Sequence, residues 1–388
     1  MTTTFESLGV AAPLVAVLSE RGISEPFAIQ ALTIADALAG RDVCGKAKTG
    51  SGKTLAFGIP TLQKMAKAKP NRPTGIVLVP TRELATQVRD ELSPLAGSID
   101  RVVTAIYGGD PIEKQVTALE KGVDLIVCTP GRAIDLIERK ALSVADVNHV
   151  IVDEADRMAD MGFLPQVEWI LRNIEGEHQT LLFSATLDGV VDSLVQRYQH
   201  DPVMHEVESP TVTVDQMHHR FIHVHEMDRV KVAAAIIRNA RRTMLFSATK
   251  HGADRLADKL EAEGVTAAPI HGDLRQNMRE RALADFGDGK LQALVATDVA
   301  ARGIHIDDVD VVIHYDPPSD HKTYLHRSGR TARAGTSGVV VTFCLWNQEL
   351  EIKRLQKRIG LNIPIVEMFS NDPRLEDLIG WDPTTVTA

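Results

Sequence analysis

Residues 42–57 read Asp-Val-Cys-Gly-Lys-Ala-Lys-Thr-Gly-Ser-Gly-Lys-Thr-Leu-Ala-Phe. A short apolar run at Asp42-Val43-Cys44 enters a glycine-rich turn, and the turn enters a helix start at Leu55-Ala56-Phe57. Strand, loop, then helix is the context a phosphate cradle needs. Gly50 and Gly52 let backbone N–H groups close on phosphate oxygens, with Ser51 between them. Lys53 adds a point positive charge, and the Thr54 hydroxyl can serve a Mg2+ ion. A glycine-rich turn with no ligand is the plainer alternative, and the Gly-Lys-Thr ending weighs against it. Ala47 stands where the generic loop has its first glycine.

The same strand-then-helix rhythm continues along the chain. Strand candidates are Gly75-IVLV, Asp124-LIVC, His149-VIV, Thr180-LLF, Thr243-MLF, Leu291-QALVA, Val309-DVVIH and Gly338-VVVTF. Helix-period segments lie between them, at 84–95, 187–198, 253–262 and 279–286. Fully apolar strands alternating with helices predict parallel sheets covered on both faces, a doubly wound α/β architecture. At 388 residues, two cores are expected. TLLFSAT at 180–186 recurs as TMLFSAT at 243–249, which points to two sheets of related construction or to coincidence between two buried strands. The polar and β-branched stretch 206–215 lacks helical period and marks the boundary. The predicted layout is a first domain over 1–207, a linker over 208–215, a second domain over 216–365 and a short acidic tail over 366–388.

Composition excludes several classes. Apolar residues make up 44% and charged residues 24%, which rules out disorder and collagen-like repeats. The early apolar run from Val10 to Leu18 contains Pro13, is too short for a bilayer and follows Glu6, so neither a membrane span nor a signal peptide is expected. Cys44, Cys128 and Cys344 lie far apart without CxxC spacing, as buried thiols of a reducing, cytoplasmic compartment do. The balance of 43 basic against 52 acidic residues gives a net charge of −9. That excludes a coat of basic charge for indiscriminate nucleic-acid binding and leaves room for a local basic groove.

Two further clusters carry chemistry. Asp153-Glu154-Ala155-Asp156 follows His149-VIV, at the strand edge where open α/β sheets bind ligands. Asp153 fits a metal role and Glu154 the positioning of an attacking water. Taken alone, such a tetrad is often a solvated helix N-terminus. In 326–335, Arg327, Arg330 and Arg333 recur at i, i+3 and i+6. On a helix they would share a face and repel, which makes most sense with an anion present; a solvated basic face is the alternative. A metal site among His218, His219, His223 and His225 is disfavoured, because no cysteine or paired carboxylate completes it.

Motifs in fixed order make the chain resemble the DEAD-box RNA helicases from Phe5 to Gly335. They are Gly22-ISEPFAI-Gln30 with Phe5 ahead of it, 47–54, Pro80-TRELA, Gly108-Gly109, Thr129-Pro-Gly-Arg132, Asp153-EAD, Ser184-Ala-Thr186, His271-GDLRQNMR, Ala296-TDVAARGI and His326-RSGRTAR. The resemblance implies two tandem RecA-like domains joined by a short linker, with ATP and Mg2+ as cofactors and RNA as partner. It implies ATP-driven domain closure that bends RNA and separates strands locally, or remodels an RNA–protein complex. By it, Phe5, Gln30, Ala47, Thr49, Gly50, Ser51, Gly52, Lys53 and Thr54 bind ATP. Lys53, Asp153, Glu154, Arg330 and Arg333 are catalytic, with Thr54 and Asp153 serving Mg2+. Asp156, Ser184, Thr186 and His326 couple the domains. RNA contacts fall on Thr81, Arg82, Gly108, Gly109, Thr129, Gly131, Arg132, Gln276, Arg279, Thr297, Arg302 and Gly303. Such hydroxyls, glycines and arginines suit sugar and phosphate oxygens, with little sequence preference. A glutamine amide can pair with adenine N6 and N7 together, so Gln30 would select ATP if its orientation is fixed. Phe5 would add an apolar surface for the base, or simply pack in the core. Target choice would then come from a protein partner or from residues 345–388. Three positions depart from the family pattern: Phe27 replaces a threonine, His305 an aspartate and Ala332 a glycine.

Overall fold

The computed structural model describes residues 3–47, 50–187, 189–207, 217–301, 309–331 and 338–385. The predicted linker 208–215 lies outside them, as do Thr49, Arg302, Gly303, His305, Ala332 and Arg333. The chain divides into two compact units, Met1–Ser209 and Pro210–Ala388.

In the first unit the strands are β1 (Val43–Lys46), β2 (Gly75–Leu78), β3 (Val103–Ile106), β4 (Leu125–Cys128), β5 (His149–Asp153), β6 (Gln179–Ser184) and β7 (Val203–Glu206). They form one parallel sheet in the order β3-β4-β2-β5-β6-β1-β7. Successive residues of a strand point to opposite faces, so an apolar run feeds two cores at once. Ile151 and Val77 enter one apolar layer, while Val150, Val152 and Ile76 enter the other. The sheet is thereby buried on both sides.

The second unit contains β8 (Met217–His223), β9 (Thr243–Phe246), β10 (Ala267–Ile270), β11 (Ala293–Ala296), β12 (Val311–His314), β13 (Gly338–Cys344) and β14 (Ile365–Glu367). Its order is β10-β11-β9-β12-β13-β8-β14, again parallel. Counted from each unit's own first strand, both sheets run 3-4-2-5-6-1-7. The two sheets are built alike, one of the two readings that the repeated SAT leaves open. The repeat itself does not mark equivalent strands: the first copy ends β6, and the second ends β9, the counterpart of β2.

The acidic stretch from Val366 is packed into the second unit. It begins within β14, which pairs with β8, and buries Leu375 and Leu378 in the core. The buried Arg220 guanidinium on β8 donates to the Leu378 carbonyl at 2.8 Å and the Ile379 carbonyl at 3.3 Å, and lies 5.4 Å from the Trp381 ring centre. All three cysteines are free and buried, and burial pushes the Cys44 thiol up to about 12. Among the described residues no helix is long and apolar enough to cross a membrane, and no group of three or more His, Cys, Asp or Glu is placed to hold a metal ion.

Candidate functional site

The phosphate loop leaves the C-terminal end of β1. Gly50 and Gly52 adopt φ of +81° and +86°, a region that only glycine enters freely. Gly52 is the cap residue of the helix Lys53–Lys64, so the first N–H groups of that helix face the loop. Lys53 is buried, and its Nζ donates to the Ala47 carbonyl at 3.0 Å. Gln30 braces the loop from the preceding helix, Ala28–Leu38. Its Nε2 donates to the Gly52 carbonyl at 2.9 Å, and its Oε1 accepts from Phe27 N–H at 2.8 Å. A backbone carbonyl on one side and a backbone N–H on the other leave one amide orientation only. Phe5, the candidate base contact, is 1% exposed and belongs to the core.

Asp153 closes β5 and Glu154 follows it, both buried. β5 lies two places from β1 across β6, and Lys53 is close enough to act electrostatically on Asp153. Burial, opposed by the Lys53 charge and reinforced by the Glu154 carboxylate, leaves the Asp153 carboxyl raised to about 7. Glu154 sits at φ +54°, an unfavourable region for a side chain with Cβ, at the cap position of the helix Ala155–Asp160. Its Oε2 pairs with Arg157 Nη1 at 2.5 Å. Sequence reading missed Arg157, although the three-residue spacing from Glu154 on a helix was its signal. Ser184 Oγ accepts from Asp156 N–H at 3.2 Å, and Asp156 Oδ2 accepts from Thr186 N–H at 3.2 Å. Asp156, Ser184 and Thr186 are thus one hydrogen-bonded group across the ends of β5 and β6. The Thr54 side chain is half-buried on the first turn of its helix.

The other half of that sheet edge gathers the RNA candidates. Thr81 and Arg82 follow β2, Gly108 and Gly109 follow β3, and Thr129, Gly131 and Arg132 follow β4, three strands adjacent in the sheet. Thr81 caps the helix Arg82–Ser98 by accepting from Leu84 N–H at 3.3 Å. The Arg82 guanidinium lies over Gly109, whose φ is +88° and where any Cβ would collide with it. Arg132 donates to the Asp110 carbonyl at 3.2 Å. The three loops are therefore tied to one another.

In the second unit the corresponding strands carry the corresponding candidates. Gln276 and Arg279 lie on the helix that follows β10, and Thr297 follows β11. The second SAT follows β9, the counterpart of β2, and Thr249 caps the helix Lys250–Ala262 as Thr81 caps its own. His326 is exposed on the helix His321–Ser328, and Arg330 is half-buried just beyond it. Arg327 does not join an anion-facing row. It is 3% exposed, forks onto Asp298 at 2.6 and 2.8 Å, and donates to the Asp316 carbonyl at 2.7 Å. Its charge is answered inside the protein, so the mutual repulsion inferred from the i, i+3, i+6 spacing does not include it.

Comparison with known proteins agrees with this geometry. A family model for the DEAD/DEAH box helicases matches residues 27–194, and one for the helicase conserved C-terminal domain matches 228–335. The chain is 42% identical over 345 residues to the DEAD-box ATP-dependent RNA helicase CshA of Bacillus licheniformis, covering 88% of this chain and 71% of that one. It is 40% identical over 363 residues to the mitochondrial DEAD-box ATP-dependent RNA helicase 9 of Arabidopsis thaliana, covering 91% and 59%. S. cerevisiae Dbp5 bound to RNA and ADP BeF3 superposes with a TM-score of 0.78 at 29% identity, covering 95% of this chain and 96% of that one. On motifs, fold and relatives together, the chain belongs to the DEAD-box ATP-dependent RNA helicases.

Proposed function

We propose that this chain hydrolyses ATP in the first unit and uses the cycle to separate short RNA duplexes or strip protein from RNA. The observation that carries the reading is the buried set of Lys53, Asp153 and Glu154 at the ends of β1 and β5, beside a phosphate-shaped loop. Loop N–H groups and Lys53 hold the phosphates, and Thr54 and Asp153 would hold Mg2+, largely through water. The donor chemistry fits a hard cation: a hydroxyl, and a carboxylate whose raised proton affinity a divalent charge would reverse. Glu154 orients the attacking water. Gln30, already spanning Phe27 and Gly52, sets the distance between its helix and the loop. Phe5 serves the core.

Arg330 and Arg333 reach the transferring phosphate when ATP and RNA draw the two units closed. The Asp156–Ser184–Thr186 group meets His326 in that state. RNA lies along the loops after β2, β3 and β4 and their counterparts after β9, β10 and β11, touched through sugar and phosphate oxygens, with Arg302 and Gly303 adding to the second set. Closure bends the strand into a path unsuited to a duplex, and phosphate release reopens it. Each stroke is local, without travel along the strand. A reducing, cytoplasmic setting fits the buried thiols, and target choice falls to a protein partner.

The test is ATP hydrolysis with and without single-stranded RNA, in the wild type and in Glu154→Gln. RNA should stimulate the wild type, and the substitution should cut kcat by about 100-fold or more while ATP still binds. Negligible stimulated turnover in the wild type, with tight ATP-dependent RNA retention, would replace the cycle with an ATP-gated clamp.

A further inference from the structure

Lys353-Arg354-Leu355-Gln356-Lys357-Arg358 carries four cations in six residues, more than any other stretch of that length in a chain of net charge −9. It forms the second half of the helix Glu349–Arg358. Ile352 and Leu355 anchor that helix in the apolar core of the second unit, and the four cations stay exposed. Among the described residues only Lys353 is answered, by Glu349 at 2.6 Å. Cations in a last helical turn also answer the helix dipole, which would account for a solvated basic end. It does not account for what lies beside them. Between the helix and the lead-in to β14 is a pocket of about 690 Å3, lined by Lys353 and Lys357 and by Leu361, Ile363 and Pro364. Gln356 lines it too and is 4% exposed. Its Oε1 accepts from Ile363 N–H at 2.9 Å, which fixes the amide, and its buried Nε2 donates to nothing among the described residues. A buried donor without an acceptor is costly, and a ligand that supplies the acceptor recovers that cost.

We propose that this pocket is a second RNA site, holding one nucleotide of a single strand; this rests on the reading of RNA as the partner. Glu349 lines the pocket as well, and its pair with Lys353 cancels, so the phosphate is held chiefly by Lys357. Arg354 and Arg358 meet the neighbouring phosphates. The base lies along Leu361 and Pro364, and a base carbonyl accepts from Gln356 Nε2. An acidic peptide would satisfy the cations, but it has no flat apolar surface to fill the wall beside them. The sheet order puts β14 at the opposite edge from β10, six strand spacings or roughly 30 Å away. A short oligonucleotide seated on the loops after β9, β10 and β11 cannot also reach this pocket. A longer strand engages both, and its second contact is then intramolecular.

Fluorescence anisotropy on the full chain, with labelled single-stranded RNA of about 6 and about 20 nucleotides at several salt concentrations, is the test. Lys357→Gln combined with Arg358→Gln removes two exposed cations that hold nothing in the fold. It should weaken the longer RNA about fivefold and flatten its slope of log affinity against log salt by about 1.4. The shorter RNA should stay within about twofold, and RNA-stimulated turnover at saturating RNA should be unchanged. Gln356→Glu keeps the acceptor for Ile363 N–H and removes the donor, so it should weaken the longer RNA about threefold. Unchanged affinity for the longer RNA in either variant, or a loss shared equally by the shorter one, would overturn the proposal. So would unchanged RNA affinity with lost binding of polyglutamate, which would assign the face to an acidic protein. If the wild type binds neither RNA, the RNA reading itself fails and this site falls with it.

Discussion

Neighbouring arginines in the motif at 326–335 do different work, and burial separates them. Arg327 is enclosed with two hydrogen bonds to Asp298 and one to a backbone carbonyl, while Arg330 is half-buried past the end of the helix. Removing one member of a buried pair leaves the other charge uncompensated. Arg327→Gln should therefore destabilise the second unit by about 3 kcal/mol, the lower end for such pairs because Asp298 keeps part of its surface in water. Urea unfolding measures it. Arg330→Gln should abolish RNA-stimulated hydrolysis. The sequence could place all three arginines in one motif but not assign their faces, because Asp298 is 29 residues away from Arg327 and follows β11, a strand separated from β12 by β9. Phe5 stands between base contact and core in the sequence for the same reason: a phenylalanine reads identically whether a core closes over it or a base packs on it.

Among secondary-structure elements, what could be read in advance tracks burial on two faces. Strands β1, β2, β4, β5, β6, β9, β11, β12 and β13 stand out as apolar runs. β3, β7, β8, β10 and β14 do not. β10 reads Ala267-Ala-Pro-Ile and tolerates Pro269 because it lies at a sheet edge, where a missing N–H costs no ladder bond. β8 reads Met-His-His-Arg-Phe-Ile-His, too polar to advertise an interior strand. Its Arg220 is satisfied by carbonyls from the C-terminal stretch, a partner 158 residues away. Helix ends depend on neighbours close in sequence. Asp320 caps the helix His321–Ser328, accepting from Thr323 N–H at 2.9 Å and Thr323 Oγ1 at 2.8 Å. Burial pushes its carboxyl up, but those hydrogen bonds and one from Ser319 outweigh it and hold the group at about 2. Because the folded value lies below the unfolded one, near 3.8, the cap contributes fully above about pH 4 and is lost as pH falls through 2. Asp320→Ala should cost about 1 kcal/mol at neutral pH and nothing below pH 2, read from stability against pH.

At the scale of the whole molecule, two sheets wired alike carry unlike chemistry. Where β1 leads into the 47–54 loop, its counterpart β8 leads into Val224-His225-Glu226-Met227-Asp228, and the sequence contains Gly-Ser-Gly-Lys-Thr once. Each unit has its own apolar layers, so scanning calorimetry should resolve two transitions. A ligand that binds only the folded form raises the midpoint of what it binds. ADP with Mg2+ should move one transition upward by several degrees and leave the other in place, with Lys53→Ala cancelling the shift. Two coupled shifts of equal size would mean that both units hold the nucleotide. A single phosphate loop also fixes the stoichiometry of the machine. Each chain can carry one fuel molecule, so a rapid-mixing experiment can release at most one phosphate per chain in its first burst. On the proposed cycle, every further round then draws its ATP afresh from solution.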